Sequence, residues 1–204
     1  MTTTTSDEPR MTPAGRRILD AASRLYYDHG INTVGMELVA ERAGTTKKTI
    51  YDRFGSKDGL VVAYLEARAR RWEEHVETHL AAASSTGAVD RALDVLDALE
   101  SWLEQGTRGC GFVNAYAELS TQSAAATRVV RAEKEWIRRL YASLLTEEGV
   151  ASAESLGRQL ALLHEGAIVQ LTAGGSPEAL QDARAATRAL LGRGDVSRTS
   201  ARRP

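Results

Sequence analysis

Apolar residues recur along this chain three and four positions apart, the spacing of one helix face, and nowhere alternate as a strand would. The pattern predicts an all-α protein. Thr12 and Pro13 supply an N-cap and a first-turn proline for a helix striped by Ile18, Ala21, Ala22 and Leu25 and ended by Gly30. A short helix over about Val34 to Ala43 follows, with Thr33 as cap and Leu38, Val39 and Ala43 facing inward; Gly44 ends it. Another short helix spans about Thr46 to Phe54. Ser56 then caps a long one carrying Leu60, Tyr64, Leu65, Trp72 and Val76. Further stripes run from Val89 to Leu103, from Phe112 to Leu119, from Val129 to Leu145, and from Leu156 to Leu171 with Ser152 as cap. Ser176, Pro177 and Glu178 restart the chain for a last helix to about Leu191. Residues 1–11 and 193–204 lack periodicity and are expected to be disordered.

Composition narrows the class. A lone Cys110 forms no internal disulfide, and the polar, Thr-rich start has no secretion signal, so a cytoplasmic protein is expected. The longest apolar run, Leu60 to Leu65, is far below the ~18 residues of a membrane span. With 26 Lys+Arg against 27 Asp+Glu the net charge is −1, so any claim of nucleic-acid binding has to rest on local geometry. No phosphate-loop, dinucleotide or nucleophile-elbow motif is present, which leaves catalysis without an anchor and implies no cofactor. His75 and His79 share a helix face but lack the Glu of H-E-x-x-H and read as a solvated pair, with no metal site. Cys110 reads as a small, mostly buried hydrophobe, a redox role being the alternative.

The informative stretch is Thr33 to Leu60. Two helices of about two turns, joined through Ala43, Gly44 and Thr45, have the layout of a helix-turn-helix, whose second helix enters the DNA major groove. From Arg42 through Lys57 there are five cations (Arg42, Lys47, Lys48, Arg53, Lys57) and one acid, Asp52, a local excess of four. The exposed positions of the second helix are Thr46, Lys47, Lys48, Thr49, Tyr51 and Arg53, with Ile50 and Phe54 turned to the core.

Thr33, Val39, Ala40, Ala43, Gly44, Thr49, Ile50, Tyr51, Phe54, Lys57 and Leu60 stand in the register of the TetR (tetracycline repressor) family of bacterial regulators, and residues 12–60 resemble its DNA-binding domain. The chain departs from the family pattern at Thr45 and Thr46, usually Val and Ser, at Arg53, usually His, and at Lys48, often a small residue. The resemblance implies phosphate contacts from Thr33, Tyr51 and Lys57, base-edge contacts from Thr46, Lys47, Lys48 and Thr49, and either from Arg53. It also implies a helix-turn-helix domain over 12–58 and a larger helical domain over 59–192 for dimerisation and small-molecule binding. The expected function is a repressor that binds palindromic double-stranded operator DNA as a homodimer and is released by an effector.

Large or polar residues on otherwise apolar helices, Trp102, Phe112, Asn114, Tyr116, Trp136 and His164, are the candidates for an effector pocket, though most are expected to be core. Leu160, Leu163, Ala167 and Leu171 with Leu180, Ala183 and Leu190 are the candidates for a two-fold interface. A helical enzyme or an interaction scaffold are the rival readings. The first needs a cluster of acids, bases or metal ligands that the spacing does not offer, and the second does not need the local cations.

Overall fold

A computed structural model describes residues 11–104, 106 and 108–199, with side chains as far as Gly192; residues 1–10 and 200–204, where most of the expected disorder was placed, lie outside the described residues. The described residues form α1 (Pro13–His29), α2 (Met36–Ala43), α3 (Lys47–Phe54), α4 (Lys57–Ala82), α5 (Ala88–Leu103), α6 (Gly111–Leu119), α7 (Ala124–Glu147), α8 (Ala153–Thr172) and α9 (Ala179–Thr199), with no strand among them. α9 thus carries helical backbone beyond Leu191, and Met11 packs against the first core.

Four helix starts follow the side chains that cap them. Thr12, Thr46 and Ser56 accept from the backbone N–H of Gly15 (3.2 Å), Thr49 (3.2 Å) and Gly59 (2.9 Å). Ser123 does the same for α7, accepting from Ala126 at 3.0 Å. Three local readings are corrected. α2 begins at Met36 behind Gly35, so Thr33 is an exposed loop residue and not a cap; Ser152 makes no capping bond; and Pro177 precedes α9 and is not inside its first turn. Leu38 also points outward, at 37% exposure, since Val39 and Ala43 already fill the buried face of this two-turn helix.

Two cores organise the helices. The first joins α1, α2, α3, the start of α4 (Leu60, Val61, Tyr64, Leu65), α6 and the start of α7. The second joins the far half of α4 (Trp72, Val76) with α5, α7, α8 and α9. α4 therefore runs through both, and Cys110 in the α5–α6 loop packs against both. The first core does not stop at residue 58, because α6 docks Phe112, Ala115 and Leu119 onto it. At the α7–α8 crossing a side chain on Gly157 would meet the Ala142 backbone nitrogen at 2.8 Å, so glycine there sets how closely the two helices approach.

Candidate nucleic-acid interface and effector cavity

The turn between α2 and α3 needs a left-handed residue, and Gly44 supplies it at φ 61° and ψ 47°. α3 is then pinned by Ile50, fully buried, and by half-buried Phe54, while Thr46, Lys47, Lys48, Tyr51 and Arg53 stand in solvent and Thr49 is partly covered. At the other end, a side chain on Gly59 would lie 2.0 Å from the Phe54 carbonyl oxygen, so this glycine lets α4 start directly against the end of α3. Lys57 sits at that start, half-exposed and beside the N-terminal backbone amides that favour an anion. Tyr51 is 43% exposed.

The cations of this face are held in place. Lys47 Nζ pairs with Glu37 on α2, and Lys48 Nζ with Asp52 one turn on, at 2.7 Å. The pairing pulls Glu37 below and Lys47 above their ordinary pKa values, mainly through the shared hydrogen bond. Arg53 donates to Thr12 Oγ1, tying α3 to the cap of α1. Such exposed pairs are weak and exchange readily for a phosphate, so they orient the lysines without removing them from use. Thr33 lies on the exposed loop leading into α2.

The six effector candidates separate. Trp102, Phe112 and His164 line one small internal cavity of about 30 Å³ beside Trp72, Cys110 and Lys134. Trp136 meets Trp72 edge-on at 6.5 Å. Asn114 is turned away, its amide donating to the Arg108 carbonyl at 2.9 Å, and Tyr116 is 42% exposed in an outer groove with Val113 and Leu162. The candidate set therefore does not converge on one pocket, because Asn114 lies on the other side of α6 from Phe112, and Tyr116, one turn further along, opens into the outer groove.

Sequence reasoning missed the charged residues of this region. Arg68 occupies the apolar stripe of α4 between Tyr64 and Trp72, and Glu133 that of α7 between Val130 and Ile137; a charge on a buried stripe was the available signal. Lys134 Nζ sits 2.8 Å from Glu165, 3.0 Å from Glu133 and 3.4 Å from Cys110 Sγ. Burial works against its charge, but the surrounding Cys110, Glu133 and Glu165 outweigh that and push its pKa up. Burial raises the Glu133 carboxyl despite Lys134. His164, hydrogen-bonded through Nδ1 to the Tyr141 hydroxyl at 3.2 Å, is pushed down to about 3 by burial and then by Lys134, and is neutral. His75 is not a solvated partner of His79: its Nε2 lies 3.0 Å from both the Ala98 carbonyl and the Ser101 hydroxyl, and its ring stacks on Trp72.

Between the two cores lies an outer cleft of about 470 Å³, formed by α1, α4 and the α5–α6 loop. The loop is bound to α1: the Arg108 amide donates to Tyr27 Oη (3.1 Å), its guanidinium donates to the Tyr27 carbonyl (3.0 Å), and Tyr27 Oη donates to the Gly109 carbonyl (3.2 Å). Lower down, Glu118 of α6 accepts from the Asn32 amide at 2.7 Å.

The interface candidates are corrected by burial. Leu160, Ala167, Leu180 and Ala183 are at most 5% exposed inside the protomer, and Leu163, Leu171 and Leu190 are partly covered by the same core. They stitch α8 and α9 to their own chain, because that core takes the most apolar stripe. The free face of α8 instead carries Leu162 (72% exposed) and Val169 (46%), two turns apart with Gly166 between them.

Comparison with known proteins agrees with this layout. The family profile for bacterial regulatory proteins of the tetR family matches residues 18–64. An uncharacterized HTH-type transcriptional regulator of Mycobacterium tuberculosis is 35% identical over 68 residues, 33% of this chain and 34% of the relative, so the match spans about a third of that protein's length. The HTH-type transcriptional activator FasR of Mycolicibacterium smegmatis is 40% identical over 50 residues, 24% of this chain and 23% of its own. The crystal structure of SCO4454, a TetR-family transcriptional regulator from Streptomyces coelicolor, superposes with a TM-score of 0.79 at 28% identity, over 88% of this chain and 95% of that one. A protein of Saccharomonospora viridis crystallised with choline shares the fold at 18% identity, with a TM-score of 0.68 over 87% of this chain and 94% of its own.

Proposed function

We propose that the chain is a DNA-binding transcriptional regulator of the TetR family and not an enzyme, as the family-profile match over residues 18–64 and the likeness to SCO4454 support, and that it is a cytoplasmic repressor that holds a palindromic operator as a homodimer and lets go when a small molecule binds the α4–α9 region. The observation that carries this is the exposed face of α3. Ile50 and Phe54 anchor it, Gly44 and Gly59 set its angle, and the side chains left in solvent are threonines, cations, a tyrosine and one acid, Asp52, paired with Lys48. That is the chemistry of groove reading on a rigid support. Tyr51, Lys57 and Thr33 serve phosphates; Thr46, Lys47, Lys48 and Thr49 face base edges; Arg53 exchanges Thr12 for a phosphate or a base.

Dimerisation is supported by the free faces of α8 and α9. Leu162 and Val169 flank Gly166, whose missing side chain opens on empty space, and Ala185 and Ala189 are exposed on α9. Small residues between apolar ones let a second pair of helices come close. Two-fold symmetry then sets two copies of α3 about 34 Å apart, or a multiple of it, and makes the operator a near-palindrome. A ligand releases DNA in proportion to its preference for the dimer whose spacing no longer fits.

The test is fluorescence anisotropy on inverted repeats from the DNA flanking the coding region, against a scrambled duplex. Tyr51→Phe and Lys57→Ala weaken both duplexes alike, with Lys57→Ala lowering the salt slope by about 0.9; Lys48→Ala also changes the ratio between them. Equal affinity of all three variants and the parent for the inverted repeat removes α3 from the interface and ends the reading.

A further inference from the structure

Arg68 is a cation set among aromatic rings. Its guanidinium carbon lies 4.5 Å from the Tyr27 ring centroid, 5.5 Å from that of Trp102 and 6.0 Å from that of Phe112. Ring faces stabilise the charge, but they do not accept the N–H bonds that lie in the guanidinium plane. Nε is buried without an acceptor, and among the described residues no carboxylate stands within ion-pair distance of Arg68, although Glu133 lines the same small cavity and feels its charge. Nearby Lys134 shows the contrast, since Glu133 and Glu165 both pair with it. A side chain at residue 111 would fall 2.7 Å from Nε and 3.0 Å from Cζ, over the guanidinium face, so Gly111 leaves the room the group occupies.

Arg68, Trp102, Leu103 and Gly109 line both the outer cleft and the smaller cavity beside it. The cleft adds Arg24 and Arg71 against Asp28, a positive balance, and its volume of about 470 Å³ is within the usual range for a small ligand. The internal cavity, at about 30 Å³, holds little more than one water.

We propose that the effector is a small organic acid: its carboxylate binds the in-plane N–H groups of Arg68, and its apolar body lies in the cleft against Trp102 and Leu103. The planar fork of an arginine matches a carboxylate in two parallel bonds, which a neutral amide or an ammonium does not reproduce. The position also explains how occupancy reaches the DNA-binding face. The cleft's outer wall is the loop whose Arg108 and Gly109 are hydrogen-bonded to Tyr27 of α1, so an occupant that moves the loop moves α1. This assignment rests on the regulator reading for its consequence and on Arg68 for its chemistry.

The experiment is calorimetric titration of the full-length protein with 3-phenylpropanoate, with its primary amide, and with phenethyltrimethylammonium, in the parent, Arg68→Met, Arg68→Lys and Gly111→Ala chains, each checked for helicity by circular dichroism. The acid is expected to bind the parent at least about tenfold more tightly than either analogue, and Arg68→Met to lose about ten- to a hundredfold of that affinity. Arg68→Lys keeps the charge without the fork and falls between. If Arg68→Met does not fold, Gly111→Ala carries the test, since its methyl group presses on the guanidinium, shifts its N–H groups out of place and weakens acid binding selectively. No binding of the acid at millimolar concentration, amide or ammonium binding as tightly, or an acid preference that survives both substitutions overturns the proposal. Operator binding without ligand is measured in the same buffer. A chain that binds the acid through Arg68 but no inverted repeat refutes the regulator reading and leaves the site standing, and one that binds the operator but no acid does the reverse.

Discussion

The two cores of this protein handle polarity in opposite ways. The one beneath α3 is built from aliphatic residues, tyrosines and Phe112, and the charge of that region, on Lys47, Lys48, Arg53 and Lys57, is outside. The one formed by α4, α5, α7, α8 and α9 encloses His164 and borders on Glu133, Lys134 and Arg68 among three tryptophans. A domain that reads a large external polymer needs a rigid interior and a polar surface. A domain that receives a small molecule needs polar groups inside, where low dielectric makes each unpaired one expensive and each new partner valuable.

The largest expected effect tests whether the second core is a packed core at all. Trp72 is 3% exposed and meets His75, Trp102, Trp136 and His164, so Trp72→Ala is expected to cost about 4 kcal/mol of stability. Urea unfolding followed by circular dichroism measures it, and a loss under about 1 kcal/mol marks the region as loosely packed. Gly59→Ala acts on the other core. The Phe54 carbonyl oxygen stands 2.0 Å from the added carbon, so α3 and α4 must separate, at about 2–3 kcal/mol and with loss of duplex binding. Tryptophan fluorescence should barely change, because Trp72, Trp102 and Trp136 all belong to the second core.

The pH dependence of stability separates the two further. His164 has its folded pKa pushed down to about 3, while an unfolded histidine titrates near 6.5. Between those values the unfolded chain takes up a proton that the folded chain refuses, so stability falls as pH falls, by up to about 1.4 kcal/mol per unit. Its contribution is fully present above about pH 6.5. His164→Gln should flatten this part of the profile in thermal melts at pH 4 to 7, and an identical slope in the variant would place the effect elsewhere. The smallest effect belongs to the surface. Glu37→Ala releases Lys47 from its pair, so duplex affinity should rise modestly at low salt and the gain should vanish as salt is raised; anisotropy at two ionic strengths decides it.

Much of the α3 region was legible from residue order, because its instructions are local. Thr12, Thr46 and Ser56 cap the helices they precede, and Gly44 turns the chain where the apolar stripe requires it. Thr33 failed as a cap because Gly35 intervened, which only the backbone path reveals. In the larger region the helices were legible but their facing was not. Leu160, Ala167, Leu180 and Ala183 make an amphipathic stripe that fits an own core and a partner's surface equally well, and packing gave it to the own core. Asn114 and Tyr116 were grouped with Phe112 as large or polar residues on otherwise apolar helices, and the way α6 packs parted them.

Residue order by itself determined the helical class, the helix starts governed by capping, and a cationic second helix after a left-handed glycine, since each follows from interactions within a few positions of the chain. Tertiary structure decided which charges are enclosed, that Arg68 faces three rings, and that the α5–α6 loop is fastened to α1. Those outcomes depend on pairs such as Tyr27 and Arg108, far apart along the chain, and periodicity on one helix carries no information about the helix that will cover it.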